Sequence, residues 1–277
     1  MKKFTAGLIL AAGTLALSAC GTGGGDNAAG KDTKNHELVV GASNTPHAII
    51  LEKAEPLLKE KGIDLKIETY QDYVLPNEDL DSEELDANYF QHIPYLETQM
   101  KDHGYDFEIA GEIHIEPIGV YSKKYKSLDE LPDGATILIS NSVADHGRVL
   151  AMLEKEGLIK LDEKVDKTKA EVKDITDNPK NLKFDANYEA SFLPTLYNQD
   201  EGDALLINSN YAIDNGLNPL EDAIALEETD SPYVNVVAVR KGDKDNEDIK
   251  KLVEVLHSDE IKEFMLEEWG GSVVPAE

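Results

Sequence analysis

The feature that most restricts this chain is a rhythm that begins at His36. "HELVVGAS" is rich in β-formers, "AIILEKAEPLLKEKG" spaces its apolar residues as a helix does and stops at Gly62, and "IDLKIETY" returns to extended character. Strand, helix, strand in that succession calls for a parallel sheet with helices on its faces, so the fold class is α/β. Extended runs continue at "FEIAGEIHIEPIGVYS", "ATILIS", "DALLIN" and "YVNVVAVR". The two longest, around residues 115–121 and 233–240, bracket a self-contained α/β block. A chain that leaves one lobe and later returns to it makes two lobes joined by two crossings, with a cleft between them. Residues 36–120 plus 233–277 are expected to form the first lobe and residues 121–232 the second. The closing "NEDIKKLVEVLHSDEIKEFMLEEWGG" reads as helix, with Ile249, Leu252, Val253 and Leu256 on one face.

Upstream of this block, "MKKFTAGLILAAGTLALSAC" has the layout of a bacterial export signal. Lys2 and Lys3 supply the charged start, residues 4–17 the apolar run, and "LSAC" resembles the box at which bacterial lipoproteins are cut and lipidated. These fourteen mostly small apolar residues fall short of the roughly 20 that a spanning helix needs. Residues 1–19 are therefore read as a signal peptide and Cys20 as the lipidation site. Cys20 is the single cysteine, which excludes an intrachain disulfide and leaves attachment as its role. "GTGGGDNAAGKDTKN" completes a flexible tether over residues 20–35, and no strand precedes its glycines to make them a phosphate loop. These readings put the protein at the cell membrane, held by lipid on the extracytoplasmic face.

Removing residues 1–19 takes away two lysines and no acids, which leaves 25 basic against 55 acidic residues. A balance that negative argues against nucleic acid and against polybasic adhesion to anionic lipid.

Ligands of open α/β sheets sit beyond the carboxyl ends of the strands. "LDANYFQHIPYLETQMKDHG" is expected to be a loop and then a helix, with Pro94 at the first helical position and Gly104 at the stop. Tyr89, Phe90 and His92 would then lie in the loop and Tyr95 in the helix. In "ATILISNSVADHGRVLAMLEKEG" a strand, a polar loop and a helix follow one another, with Arg148 expected in the first helical turn. A cation there opposes the helix dipole unless an anion neutralises it, and a guanidinium grips a carboxylate with two parallel bonds. Arginine is scarce, Arg148 and Arg240 against 25 lysines, so its position carries information. Asn208 ends one strand and Asn235 lies in the returning crossing. An aromatic wall, a guanidinium and two amides suit an amino acid with an apolar side chain. Each also has a plainer reading: rings as core, arginine as a surface ion pair, asparagines at strand ends, and His92 as packing.

Several stretches resemble the NlpA/MetQ lipoproteins, the methionine-binding receptors of ABC importers. They are "PHAIILE", "YQDYVLPNEDL", "LDANYFQHIPYL", "PIGVYSKKYKSLDELPDGA", "INSNYA" and "SPYVNVVAVRKGD", and the likeness runs from the lipobox to "WGGSVVPAE". The resemblance implies a two-lobed periplasmic-binding-protein fold, type II-like, that closes on its ligand by hinge motion. It implies that Tyr70, Phe90, His92 and Tyr95 wall the ligand side chain and that Arg148, Asn208 and Asn235 hold its carboxylate and amino groups. Tyr70 enters through the resemblance alone. Methionine, as the L form and with the D form offering the same groups, an ABC permease with its ATPase, and no cofactor or metal are the implied partners. Two departures bear on the ligand. The family's loop before the arginine reads N-D-P-[ST]-N-x-G-R, whereas here it is "NSVADHGR", with Asp145 in place of an asparagine, and a usual Leu-Pro-Arg is "LPT" at residues 193–195. The extra carboxylate favours a ligand whose amino group lies elsewhere, such as a methionine-containing dipeptide.

Other classes remain to be weighed. No G-x-S-x-G, H-E-x-x-H or paired histidine spacing supports an enzyme. The seven histidines are scattered, which weakens a metal receptor. A surface lipoprotein with an adhesive role would need no pocket.

Overall fold

The computed structural model of the protein describes residues 36–229 and 232–276. The signal peptide, the lipobox at Cys20 and the tether lie outside the described residues. Strands run in chain order as β1 (His36–Ser43), β2 (Ile63–Tyr70), β3 (Ala87–His92), β4 (Phe107–Ile115), β5 (Gly119–Tyr121), β6 (Thr136–Ser140), β7 (Lys160–Leu161), β8 (Ile175–Asp177), β9 (Lys183–Tyr188), β10 (Ala204–Ile207), β11 (Ala225–Leu226), β12 (Val234–Arg240) and β13 (Val274–Pro275). Helices are α1 (Ile49–Glu60), α2 (Leu75–Asp81), α3 (Ile93–His103), α4 (Val143–Lys155), α5 (Leu193–Asn198), α6 (Ser209–Asp214), α7 (Pro219–Asp222), α8 (Glu247–Leu256) and α9 (Asp259–Trp269). Among these helices none is long and apolar enough to cross a membrane.

Two sheets organise the molecule, a six-stranded one ordered β13-β4-β12-β3-β1-β2 and a five-stranded one ordered β11-β5-β10-β6-β9. The opening rhythm produces what its periodicity demands. β1 and β2 pair in parallel, and α1 buries Ile50, Leu51, Ala54 and Leu58 against them before ending ahead of Gly62. In the other lobe α4 packs Val149, Leu150 and Leu153 onto Ile137, Ile139 and Leu206.

Three expectations are corrected. "ANYFQH" is not a loop but β3, every residue of it buried, because β1 flanks it on one side and β12 on the other. "FEIAGEIHIEPIGVYS" is two strands in different sheets, since Pro117 has no N–H to give to a ladder. The chain therefore passes from one sheet to the other at residues 116–118, just ahead of β5. Arg148 falls in the second turn of α4, which begins at Val143.

The sheet register sets out the site. Asn235 on β12 stands opposite His92 on β3 and His114 on β4, so these three residues lie abreast at one end of the larger sheet. Both crossings leave the sheet from this end.

Candidate functional site

His92 ends β3 and caps α3. Its Nδ1 accepts the Tyr95 backbone N–H at 3.1 Å, which leaves the proton on Nε2, and Nε2 donates to Asp145 Oδ1 at 3.0 Å. That bond joins the two lobes. Asp145 Oδ2 also takes the Asn208 Nδ2 amide at 3.4 Å, and Arg148 Nη1 stands 3.7 Å from Oδ1. Burial by itself would raise the Asp145 carboxyl. The His92 bond, the charge of Arg148 and the Asn208 bond outweigh it and hold it at about 2.

Arg148 is wired as thoroughly. Nε donates to Glu227 Oε2 at 3.1 Å, Nη2 to the same oxygen and to the Glu116 carbonyl at 2.9 Å, and the Tyr233 ring lies 4.6 Å from the guanidinium carbon. Burial works against this cation, and the charges of Glu227 and Asp145 overcome it, so its proton is held more tightly than usual. The anions that offset a buried arginine here are thus the protein's own. Beside it α4 must run close to the chain at residues 167–168: a Cβ on Gly147 would sit 2.5 Å from the Lys167 carbonyl oxygen.

Of the seven expected ligand residues, Phe90, Arg148, Asn208 and Asn235 line one cavity. Its volume is about 20 Å³, room for about one water. His92 and Tyr95 are not among its lining residues: one is held by Asp145, and the other donates its hydroxyl to the Tyr73 carbonyl at 3.0 Å. Tyr70 is elsewhere: its hydroxyl donates to Asp79 at 2.5 Å, and its ring packs with Leu80 and Leu85.

The tyrosine on the cavity is Tyr73, three residues along in "YQDYV". Its ring packs among Phe90, Tyr95 and Tyr211, tilted against the first and last and edge-on to Tyr95, with centroids 6.0, 5.8 and 4.9 Å away, and its hydroxyl donates to Asn210 Oδ1 at 2.7 Å across the lobes. An interlobe groove of about 290 Å³, lined by Tyr73 and Tyr95 on one side and Asn141, Ala144 and Glu189 on the other, opens beyond it. Tyr73 faces both spaces and so stands between groove and cavity. The segment carrying it is anchored by buried amides: Asn77 Nδ2 donates to Gln91 at 3.0 Å, and Asn88 and Gln91 both donate to Asn77 Oδ1.

Sequence reasoning also passed over His47, Glu116 and Asn210. The histidines that look scattered along the chain meet here. His114 Nε2 lies 2.8 Å and His47 Nε2 3.2 Å from Glu116 Oε1, and Tyr89 is bonded to His114 Nδ1. One ligand atom from each of His47, His114 and Glu116 falls within 4.8 Å of the others, so the donor set for a small cation exists. Burial drives both imidazoles down, His47 to about 4 and His114 to about 3, and pushes the Glu116 carboxyl up. The signal for His47 and Asn210 was present in "PHAIILE" and "INSNYA"; nothing local marks His114 or Glu116.

Comparison with known proteins decides the family. The NlpA lipoprotein model matches residues 38–277. The chain belongs to the NlpA lipoprotein family. The methionine-binding lipoprotein MetQ of Bacillus subtilis (strain 168) is 51% identical over 277 residues, 99% of each chain. The D-methionine-binding lipoprotein MetQ of Escherichia coli (strain K12) is 41% identical over 264 residues, 95% of this chain and 93% of that one. A nutrient-binding protein from Burkholderia cenocepacia, solved bound to methionine, is 43% identical with a TM-score of 0.82, covering 87% of this chain and all of the other. NlpA lipoproteins of this kind are substrate-binding proteins, not enzymes, and the two sheets here are the two lobes of that fold.

Proposed function

We propose that this protein is the lipid-anchored receptor of an ABC importer, taking methionine into the cavity around Arg148 and delivering it to a permease served by an ATPase. The observation that carries the reading is a buried guanidinium sharing one interlobe cavity with an aromatic wall and unpaired amide groups. Arg148 Nη1, nearest to Asp145 at 3.7 Å, is the nitrogen available to a ligand carboxylate. Phe90 and Tyr73 would face the side chain. Cys20 would hold the protein to the outer face of the cell membrane.

A cavity of one water's size admits an amino acid only if the lobes part. Entry requires Tyr73 to release Asn210 and Asp145 to yield its place beside Arg148, so binding draws on an equilibrium between open and closed lobes. Burying a methionine side chain contributes roughly 1.5–3 kcal/mol and a sulfur-to-ring contact about 0.3–1.5 more. Leucine forfeits only the second contribution, so strong preference for methionine also needs pocket shape. L and D forms present the same groups.

A second reading rests on Asp145. A carboxylate beside the arginine favours a ligand whose amine reaches farther, as in a methionine-containing dipeptide. The test is calorimetric titration of the chain from residue 21 onward, refolded from denaturant to strip carried-over ligand, with L-methionine, D-methionine, glycyl-methionine and leucine. Tight binding of methionine supports the first reading, and binding of the dipeptide alone supports the second. Silence with all four overturns both and favours an adhesive lipoprotein.

A further inference from the structure

Arg148 is held from outside the cavity that it lines. Glu227, the residue after β11, lies behind it, with its side chain 10% exposed, and is not among the residues that face the cavity. A single oxygen, Oε2, accepts Arg148 Nε at 3.1 Å, Arg148 Nη2, and the Ile118 backbone N–H at 3.1 Å. The Glu227 backbone N–H in turn donates to the Ile118 carbonyl at 3.0 Å, so main chain and side chain both fasten Glu227 to the stretch where the chain first passes between the sheets. Arg148 Nη2 also reaches the Glu116 carbonyl in that stretch at 2.9 Å, and Tyr233, immediately before β12, lays its ring 4.6 Å from the guanidinium carbon. Helix α4 supplies the stem of the arginine, and residues flanking both passages between the lobes fix its head.

A guanidinium has five N–H bonds. Three are taken along the Nε–Nη2 edge, and the two that remain are both on Nη1. Asp145 Oδ1 stands 3.7 Å from that nitrogen. A head released at its Nε edge can swing onto this buried carboxylate and spend there the donors that a ligand needs. We propose that Glu227 is a positioning residue for ligand binding, which holds the Nε edge of Arg148 so that Nη1 stays free for a ligand carboxylate. The proposal rests on the carboxylate-clamp reading above and deepens it. A carboxylate that merely neutralised the arginine would have the opposite effect: it would compete with the ligand, and its removal would strengthen binding of an anionic group. A positioning carboxylate lowers the cost of ordering the arginine at the moment of binding, and its removal weakens that binding.

The experiment is calorimetry on the wild-type chain from residue 21 onward, on Glu227→Gln and on Glu227→Ala, each with methionine and with methioninamide, in which a neutral amide replaces the carboxylate. The wild type is expected to prefer methionine by roughly 100-fold or more. That preference should fall by about 10-fold or more in Glu227→Ala, and by less in Glu227→Gln, which keeps the length and one acceptor. A residue needed only for stability would weaken both ligands alike and leave the preference as it is. An unchanged or larger preference in Glu227→Ala therefore overturns the proposal and leaves the clamp reading standing. A second measurement does not depend on the Glu227 variants folding. Arg148 and Arg240 are the two arginines of the chain, so isotopic labelling of arginine nitrogen gives one Nε–H signal for each, and Arg240→Lys tells them apart. In the ligand-free wild type the Arg148 Nε–H should exchange slowly with solvent, and methionine should change that rate by less than about threefold. An Nε–H that exchanges freely until methionine is added overturns the proposal, because the ligand then does the ordering. A wild type that binds neither ligand, or both alike, overturns the clamp reading and this proposal with it.

Discussion

Asp145 is the residue whose removal has the most calculable effect. Its carboxyl, 2% exposed, is held at about 2 where an unfolded chain leaves it at 3.8. The folded value lies below the unfolded one, so the contribution is fully present above pH 3.8 and is lost as pH falls toward 2. At about 1.4 kcal/mol per unit the shift is worth roughly 2–3 kcal/mol at neutral pH and about 1 kcal/mol at pH 3. Asp145→Asn keeps the shape and an acceptor for His92 but removes the charge and its titration. Urea unfolding of both ligand-free chains at pH 7, 5 and 3 measures the difference, and every other carboxylate cancels in the subtraction. The wild type should be the more stable by the full amount at pH 7 and 5, with the gap reduced to about half or less at pH 3. A gap of the same size at pH 3 and pH 7, or a variant more stable at pH 7, would refute the reasoning.

Other perturbations separate binding from support. Arg148→Met takes the guanidinium away from Glu227 and the buried Asp145 and should cost about 3–5 kcal/mol in urea unfolding; adding Glu227→Gln should restore part of it, and no recovery would deny that the arginine offsets this carboxylate. Arg148→Ala should abolish most methionine affinity in calorimetry while His92→Ala weakens it less; wild-type affinity in the arginine variant would sink the clamp. Gly147→Ala drives a Cβ into the 167–168 backbone and should destabilise the chain by about 1–3 kcal/mol, read as a lowered melting temperature. Tyr70→Phe should lose about 1 kcal/mol of stability through Asp79 and leave methionine affinity within twofold. Tyr73→Phe should speed ligand release in stopped-flow by breaking the bond to Asn210, and an unchanged rate would remove Tyr73 from the closing step.

The periodic parts of the fold were readable because burial writes itself along a helix or strand. α1 between β1 and β2 and the buried run of β12 are examples. β3 was misread because its Asn88, Gln91 and His92 look like loop residues; they are buried polar groups satisfied by Asn77, Pro76 and Asp145, partners distant in sequence. The arginine count singled out Arg148, which lines the interlobe cavity, and equally Arg240, which caps carbonyls of Leu80 and Leu85, a structural task the count does not distinguish. Tyr70 and Tyr73 differ by three residues with no local cue to choose between them; the end of β2 fixes which ring turns to the cleft. His47, His114 and Glu116 come together only through the pairing of β4 with β12 and the approach of the segment after β1. No spacing along the chain encodes that meeting.

The position of β12 has a consequence for the order in which the molecule can be built. It lies in the middle of the six-stranded sheet, between β4 and β3, yet it is among the last strands in sequence. A chain emerging N-terminus first has every strand of the smaller sheet in hand by Leu226, while β3 and β4 still face each other across a gap. The inserted lobe is therefore free to fold as a unit before the lobe that begins the chain. When residues 234–240 arrive, one strand addition seals two open edges, sets Asn235 between His92 and His114 and fixes both crossings at once. The interlobe cavity, which Asn235 and Arg148 line from opposite lobes, is complete only when this strand is in place.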